Sequence, residues 1–341
     1  MTEKLKILRA DRELRCDAVD AHLLDRDADM VLTPSGMEDL DFLRQASDAD
    51  LILTCYQPIT ATLINKATRL KGIIKYGVGI DAIDVDAANR CGIPVVNVPD
   101  YAEETVAECA FTLLLWLAKK VGPIQQQMNR HGWVWPVPPW AGSDVAGKTI
   151  GIVGFGRIGQ KMARMAGAGF RARVLVYDPA VSAAQAKAAD VELFSDLRTM
   201  LADCDFVSLH ATLSPGSRHL ISAPELACMK QSAYLVNVSR GELVDERALV
   251  QALRENQISG AGLDTYGQEP LAHTGHPMSA LMSMDNVIMF PHLAFYTEGA
   301  MQRLEAETIA RCDEILAGEP VLIKSTDPRL TAQPHGVTFN E

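Results

Sequence analysis

The chain has 341 residues, enough for two domains that each bury a core of their own. With 48% hydrophobic and 22% charged residues it has the composition of an ordinary globular protein, so disorder is expected only at the ends. The net charge of −11 is spread along the chain. No stretch clusters Lys and Arg as counterion release from a nucleic-acid backbone would require, so no nucleic-acid partner is expected.

The start, MTEKLKILRADRELR, is too charged for a signal peptide. The longest apolar run, Cys109 to Ala118, is about half of the ~20 residues that a bilayer span needs. The expectation is a cytoplasmic protein with no membrane association. The cysteines (Cys16, Cys55, Cys91, Cys109, Cys204, Cys228, Cys312) are far apart, odd in number and without a Cys-x-x-Cys pair. They read as reduced thiols, mostly core filler.

In chain order, LKILRA, ADLILTCY, KGIIKYG and IPVVNVP alternate with helical stretches such as Ile59 to Thr68 and Val85 to Arg90. Short apolar runs between turn residues predict buried parallel strands with crossover helices, hence a first α/β domain. Ala102 to Val121 repeats apolar residues at helical spacing and reads as one buried connector or interface helix. HGWVWPVPPWAG (131 to 142) is too proline-rich for regular helix, and its tryptophans need something to pack against, a partner subunit being one candidate. A second α/β series follows: TIGIVG, ARVLVYD, DFVSLH, AYLVNVS, GAGLD and NVIMF. Thr297 to Ala317 is a final helix, and STDPRLTAQPHGVTFNE reads as a loose tail.

The second series opens with a dinucleotide signature. Gly154-Phe155-Gly156-Arg157-Ile158-Gly159 follows a strand pattern and begins a helical one. The first glycine allows the tight turn, the second lets backbone approach a pyrophosphate, and the third lets helix and strand pack closely. About 20 residues on, Asp178 ends the next strand, where a carboxylate accepts hydrogen bonds from the adenosine ribose. It would repel a 2′-phosphate, and PAVSAAQ supplies no arginine to receive one, so NAD is favoured over NADP.

Three later strands end in chemistry-bearing residues. LVNVSRG leads to Arg240, GAGLDTYGQEP passes Asp264 to reach Glu269, and NVIMFPH leads to His292. Ligands of an open parallel sheet bind outside the carboxyl ends of its strands. Hydride arriving at a ketone carbon leaves charge on oxygen that must take a proton, a task for histidine. A carboxylate such as Glu269 would favour the imidazolium, and the planar fork of Arg240 matches a carboxylate. Singly, each has a plainer use: Arg240 in a surface ion pair, Glu269 on an exposed loop, Asp264 as a cap, His292 as a packed histidine. Together, after a dinucleotide motif, they suggest interconversion of a 2-keto acid and a 2-hydroxy acid.

KYGVGIDAIDVDAA, NVPDYAEETVAECA, GKTIGIVGFGRIGQ, LVNVSRGELVDERAL, GLDTYGQEP and PHLAFYTEGA together resemble the D-isomer-specific 2-hydroxyacid dehydrogenase family, over roughly residues 40 to 320. The resemblance implies two doubly wound parallel-sheet domains: a flavodoxin-like substrate domain, residues 1–101 plus 297–341, and an inserted Rossmann NAD-binding domain, residues 102–296, with hinge closure between them. It implies Arg240, Glu269 and His292 as the catalytic set, and substrate-carboxylate binding by the N–H groups of Val78 and Gly79. Thr105, His210, Ser239 and Asp264 fall where members contact the cofactor. A homodimer is implied too, with the tryptophan-rich loop near its interface and within reach of the neighbour's site.

There are departures. HATLSPGSRHL has Thr212 where the family usually has proline and Ser214 where it has threonine. Phe295 replaces a residue that is small in many members; a ring there would reshape the substrate pocket, as in the NAD-binding co-repressors of the same family. An NAD-sensing scaffold of that kind is the alternative reading, disfavoured by the complete Arg/Glu/His set. Formate dehydrogenase, which shares the fold, carries glutamine in place of Glu269. No metal is expected: His273 and His276 are spaced His-x-x-His but have no carboxylate or cysteine beside them in sequence. With no basic cluster for a phosphate, glyoxylate, hydroxypyruvate or a larger keto acid is a better substrate than a phosphorylated one.

Overall fold

The structure, a computed structural model, describes residues 4–339. Two compact units share the chain: unit 1 joins the residues up to Ala102 with those from Thr297 onward, and unit 2 is Glu103–Tyr296.

Unit 1 is built on five parallel strands, β1 (Lys6–Arg9), β2 (Asp29–Leu32), β3 (Leu51–Thr54), β4 (Gly72–Lys75) and β5 (Val95–Asn97), paired in the order β2-β1-β3-β4-β5. β3 and β4 are buried throughout, as LILT and GIIK require of strands covered on both faces. β2, DMVL, has no such run and was not among the predicted strands. Among the described residues it pairs only with β1 and is nowhere buried, so little apolar character is demanded of it. The predicted helices appear as Ala61–Lys66 and Val85–Arg90, started by the Thr60 and Asp84 side chains, which accept from the Leu63 and Ala87 N–H groups.

The tail corrects the expectation of a loose end. β13 (Val321–Ile323) pairs in parallel with β14 (Val337–Phe339), a short helix Pro328–Thr331 lies between them, and Gln333 is buried. The Gln333 amide accepts from Val95 N–H at 2.7 Å and donates to Val95 C=O at 2.8 Å. A side-chain amide carries the same donor and acceptor as a peptide, so one glutamine completes the outer residue of edge strand β5.

Unit 2 holds seven parallel strands, β6 (Thr149–Val153), β7 (Arg173–Tyr177), β8 (Glu192–Phe194), β9 (Phe206–Leu209), β10 (Tyr234–Asn237), β11 (Gly260–Leu263) and β12 (Val287–Met289), in the order β12-β11-β10-β9-β6-β7-β8. Here again the strand that the sequence reading omitted, β8, is an edge. The helix Glu103–Ala118 packs on this sheet; a Cβ at Gly262 of β11 would stand 3.0 Å from Leu113 Cβ, so glycine there lets the helix settle closely. The single helix expected over 102 to 121 ends at Ala118. Lys120 turns left-handed, φ 54°, and a second helix, Val121–His131, starts with Pro123 in its first turn, where a missing N–H is harmless. Trp133 and Trp135 meet edge to face at 6.1 Å and remain 74% and 75% exposed.

Candidate active site

Strand order in unit 2 reverses between β6 and β9, the crevice where doubly wound sheets take ligands. Gly154 leaves β6 with φ 92°, and a Cβ on it would stand 2.4 Å from Ala211 N, just beyond β9. A Cβ on Gly159 would meet Gly154 O at 2.2 Å. The chain's own packing therefore dictates both residues. Gly156 differs: nothing lies within 4 Å of where its Cβ would be. It begins the helix Arg157–Arg164, whose first N–H groups face that open space, a cradle that fits a pyrophosphate.

Around this cradle, Asp178 is half-buried; one oxygen accepts from Phe155 N–H at 2.8 Å and the other from Ala180 N–H at 2.9 Å, so the carboxylate is held at the end of β7. Arg157 turns its guanidinium to Glu103, 3.3 Å away, Ile158 packs on the core and Thr105 is buried. His210 has Nε2 2.8 Å from Ser208 Oγ, and burial lowers its pKa to about 4, so the ring is neutral at ordinary pH. The Ser239 hydroxyl donates to Ala211 C=O at 2.6 Å, tying the loop after β10 to the loop after β9.

The second cluster lies beyond β10, β11 and β12. A Cβ at Gly241 would come within 2.0 Å of Tyr266 C, so glycine there lets the loop bearing Arg240 pack directly on the loop bearing Glu269. Asn237 donates to Arg240 C=O at 2.8 Å, and Arg240 donates to Ser239 C=O at 2.8 Å. His292 is left-handed, φ 57°, its N–H donating to Asp264 C=O at 2.8 Å. The Asp264 carboxylate accepts from the next two N–H groups, Leu293 at 2.8 Å and Ala294 at 3.1 Å. Asp264 is buried, and that burial raises its pKa to about 6, the charge of His292 and the two N–H groups pulling the other way.

His292 Nδ1 stands 2.6 Å from Glu269 Oε2. The other Glu269 oxygen accepts from Tyr266 N–H at 2.8 Å, and the Tyr266 hydroxyl donates to Phe290 C=O at 2.8 Å. Tyr266 thus fixes the carboxylate and the strand end before the histidine, a job the sequence reading did not give it. Its only signal was a place between Asp264 and Glu269 in GLDTYGQEP.

Unit 2 thus gathers Arg240, Asp264, Glu269 and His292 at one end of its sheet. Phe295 is buried beside them in sequence, edge to face with Tyr296 at 6.0 Å. Val78 and Gly79 belong to unit 1, in the turn after β4. Asn97 donates to Val78 C=O at 2.5 Å and Val98 N–H to Gly77 C=O at 3.0 Å, while the N–H groups of Val78 and Gly79 meet no acceptor among the described residues. The two histidines weighed for metal have other partners: His273 Nδ1 lies 3.1 Å from Met282 Sδ and His276 Nε2 lies 3.5 Å from Glu246.

A glycine cradle at the switch point of a parallel sheet, in the same unit as a histidine locked on a carboxylate, describes a dinucleotide-dependent oxidoreductase. The family comparison gives the class its name: the D-isomer specific 2-hydroxyacid dehydrogenase NAD-binding domain matches residues 111–294, over half of the chain. The chain belongs to the D-isomer-specific 2-hydroxyacid dehydrogenase family, NAD-dependent oxidoreductases of CH–OH groups. It is 39% identical over 275 residues to a glyoxylate reductase of Thermococcus kodakarensis, covering 79% of this chain and 80% of the relative. It is 36% identical over 286 residues to a D-3-phosphoglycerate dehydrogenase of Methanocaldococcus jannaschii, covering 84% of this chain but only 53% of that longer protein. Among solved structures, D-lactate dehydrogenase of Aquifex aeolicus complexed with NAD and lactic acid superposes with a TM-score of 0.81 at 28% identity, over 92% of this chain and 96% of that one. The membership also agrees with the α/β fold built on parallel sheets. Among the described residues no helix is long and apolar enough to cross a membrane.

Proposed function

We propose that the protein interconverts a small 2-keto acid and its D-2-hydroxy acid using NAD(H), with glyoxylate or hydroxypyruvate as the first choice of substrate. The observation that carries this reading is the 2.6 Å contact between His292 Nδ1 and Glu269, on a histidine whose backbone is anchored to Asp264. When bound, the reduced nicotinamide supplies the hydride for the keto carbon. His292 gives the keto oxygen its proton from Nε2: the carboxylate accepts from Nδ1–H, which leaves the other nitrogen to exchange protons with substrate. In the opposite direction the same nitrogen accepts the hydroxyl proton. Glu269 aims the ring; Tyr266 holds Glu269. Arg240 presents its fork to a carboxylate; within unit 1 the Val78 and Gly79 N–H groups are donors suited to the same kind of group.

Gly154, Gly156, Gly159 and the half-buried Asp178 would hold the dinucleotide, with Thr105, Arg157, Ile158, His210, Ser239 and Asp264 around it. The Asp178 carboxylate favours NAD over NADP, since a 2′-phosphate would meet like charge. The glyoxylate reductases among the relatives support a small substrate, and the buried Phe295 is offered as a limit on its size. A cytoplasmic homodimer belongs to the same reading; the exposure of Trp133 and Trp135 favours a second copy that covers them, and light scattering on the purified protein tests it.

The deciding experiment is NADH consumption with glyoxylate, hydroxypyruvate, pyruvate, phenylpyruvate and 3-phosphohydroxypyruvate in one buffer. Saturable turnover with a small keto acid is the expected result. NADH binding without turnover on any of them would overturn it in favour of an NAD-sensing scaffold.

A further inference from the structure

A general acid works only where its ring is held to within a fraction of an ångström, so the groups that hold it matter as much as the groups that react. His292 is aimed by Glu269, and Glu269 is anchored in turn by the Tyr266 N–H. The next N–H in the chain, that of Gly267, points to a different carboxylate and donates to Glu246 Oε1 at 2.7 Å. Two successive N–H groups of one loop are therefore held by two carboxylates, one inside the His292 pair and one outside it.

Glu246 opens the helix Glu246–Arg254, and its side chain is only 16% exposed, which shelters this charge-assisted bond from water. Its other oxygen, Oε2, faces His276 Nε2 at 3.5 Å. His276 Nδ1 accepts from Met278 N–H at 3.2 Å, which puts the ring proton on Nε2, towards Glu246. Both oxygens of the carboxylate are thus engaged. The loop needs such a hold at this point, because Gly267 has no side chain to restrict it. Rotation about Tyr266 ψ or Gly267 φ swings everything that follows, Glu269 included, away from the Tyr266 N–H that receives its carboxylate. Gly241 fills one side of the same peptide: a Cβ there would stand 2.0 Å from Tyr266 C and 2.3 Å from Gly267 N. Gly241 and Glu246 lie in one segment that begins at Arg240, so that segment grips the peptide twice, by packing and by a charged acceptor.

We propose that Glu246, oriented by His276, is a positioning residue of the reaction: by holding the Gly267 N–H it sets where the Glu269 carboxylate stands, and through it the His292 ring. The proposal rests on the reading of Glu269 as the group that aims His292. Glu246 acts only through the loop; it takes no proton from substrate and gives none.

The test is a double-mutant cycle on the full chain: wild type, E246A, E269A and E246A/E269A. Each is assayed with NADH for kcat and KM on the keto acid that the wild type turns over best, and for NADH affinity and melting temperature. A residue that acts through Glu269 should matter only while the Glu269 carboxylate is there. E246A should lower kcat about tenfold in the wild-type background and less than about twofold in E269A, with little change in KM or NADH affinity. E246Q keeps an oxygen to accept from the Gly267 N–H and should recover most of the loss, while H276A should show a smaller loss of the same kind. An equal loss of kcat in both backgrounds would make Glu246 a scaffold residue and overturn the proposal, as would wild-type kcat in folded E246A or a loss confined to KM. If E246A does not fold, H276A takes its place in the cycle. E269A with wild-type kcat, or a wild type that turns over no keto acid, would bring down the reading of Glu269 itself, and this proposal with it.

Discussion

Both units wind helices around a parallel sheet whose strand order reverses once, between β1 and β3 in unit 1 and between β6 and β9 in unit 2. In unit 2 the reversal is left open by Gly156. In unit 1 the protein fills it. Asp11, wholly buried and left-handed just after β1, turns one carboxylate oxygen onto the N–H groups of Cys55, Tyr56 and Gln57 beyond β3, at 2.8, 2.7 and 3.1 Å. A nest of backbone donors at a switch point is an anion site by construction, and here the anion is the protein's own. The lesson is that topology offers a ligand crevice twice, while side chains decide which one receives a ligand. In unit 1 the unpaired donors lie one strand further along, after β4.

The comparison can be broken at several points. The largest effect is expected in unit 2 from H292N, which keeps a polar side chain but cannot deliver the proton. kcat should fall about 100- to 10,000-fold with NADH affinity unchanged, measured by stopped-flow and fluorescence titration. A variant that keeps near wild-type kcat would remove His292 from the chemistry.

Next comes D11A, which strips the acceptor from three buried N–H groups of unit 1. Unfolding in urea should show a loss of about 3 kcal/mol or more, while NADH binding to the folded fraction stays as in wild type. D11N, which retains an acceptor oxygen, should lose less. If D11A weakened NADH binding instead of stability, the two crevices would not be independent.

G156A is a milder change and tests the open crevice directly. None of the described residues obstructs the added methyl, so the melting temperature should hold while the Kd for NADH rises about tenfold or more. G154A, by contrast, forces a side chain into φ 92° and against Ala211, and should lose stability as well. Equal melting losses in the two variants would contradict the assignment of Gly156 to the ligand.

The smallest expected effect is a pH dependence from His210. Its folded pKa, about 4, lies below the ordinary 6.5. Between those values the unfolded chain takes up a proton that the folded site refuses, so stability is held above pH 6.5 and lost as pH falls towards 4. H210N removes this contribution. The drop in melting temperature from pH 7 to pH 4.5 should shrink by a few degrees relative to wild type. An unchanged drop would show that the ring is protonated in the fold without cost.

Much of unit 2 was legible because its chemistry and its packing use the same residues. Gly154 of GFGRIG is required by positive φ and close approach and Gly159 by close approach, and those requirements are visible as spacing. The buried central strands announced themselves as apolar runs. β2 and β8 did not, since edge strands with one neighbour need no such run, and the tail could not be read because its order rests on Gln333 finding Val95, a contact between distant parts of the chain. The partners of Asp11 were invisible for the same reason: a lone aspartate after one strand carries no periodic signal.

By itself, then, the sequence determined the α/β class and the dinucleotide signature and put forward the set Arg240, Glu269 and His292, because local backbone geometry and reaction chemistry each restrict residue type at fixed spacing. Tertiary structure alone decided that Asp264 anchors the His292 turn, that Tyr266 holds Glu269 and that Asp11 closes one crevice. Each of these depends on pairing or burial between residues far apart in the chain, and whether a buried polar group is satisfied can be seen only once those residues have met.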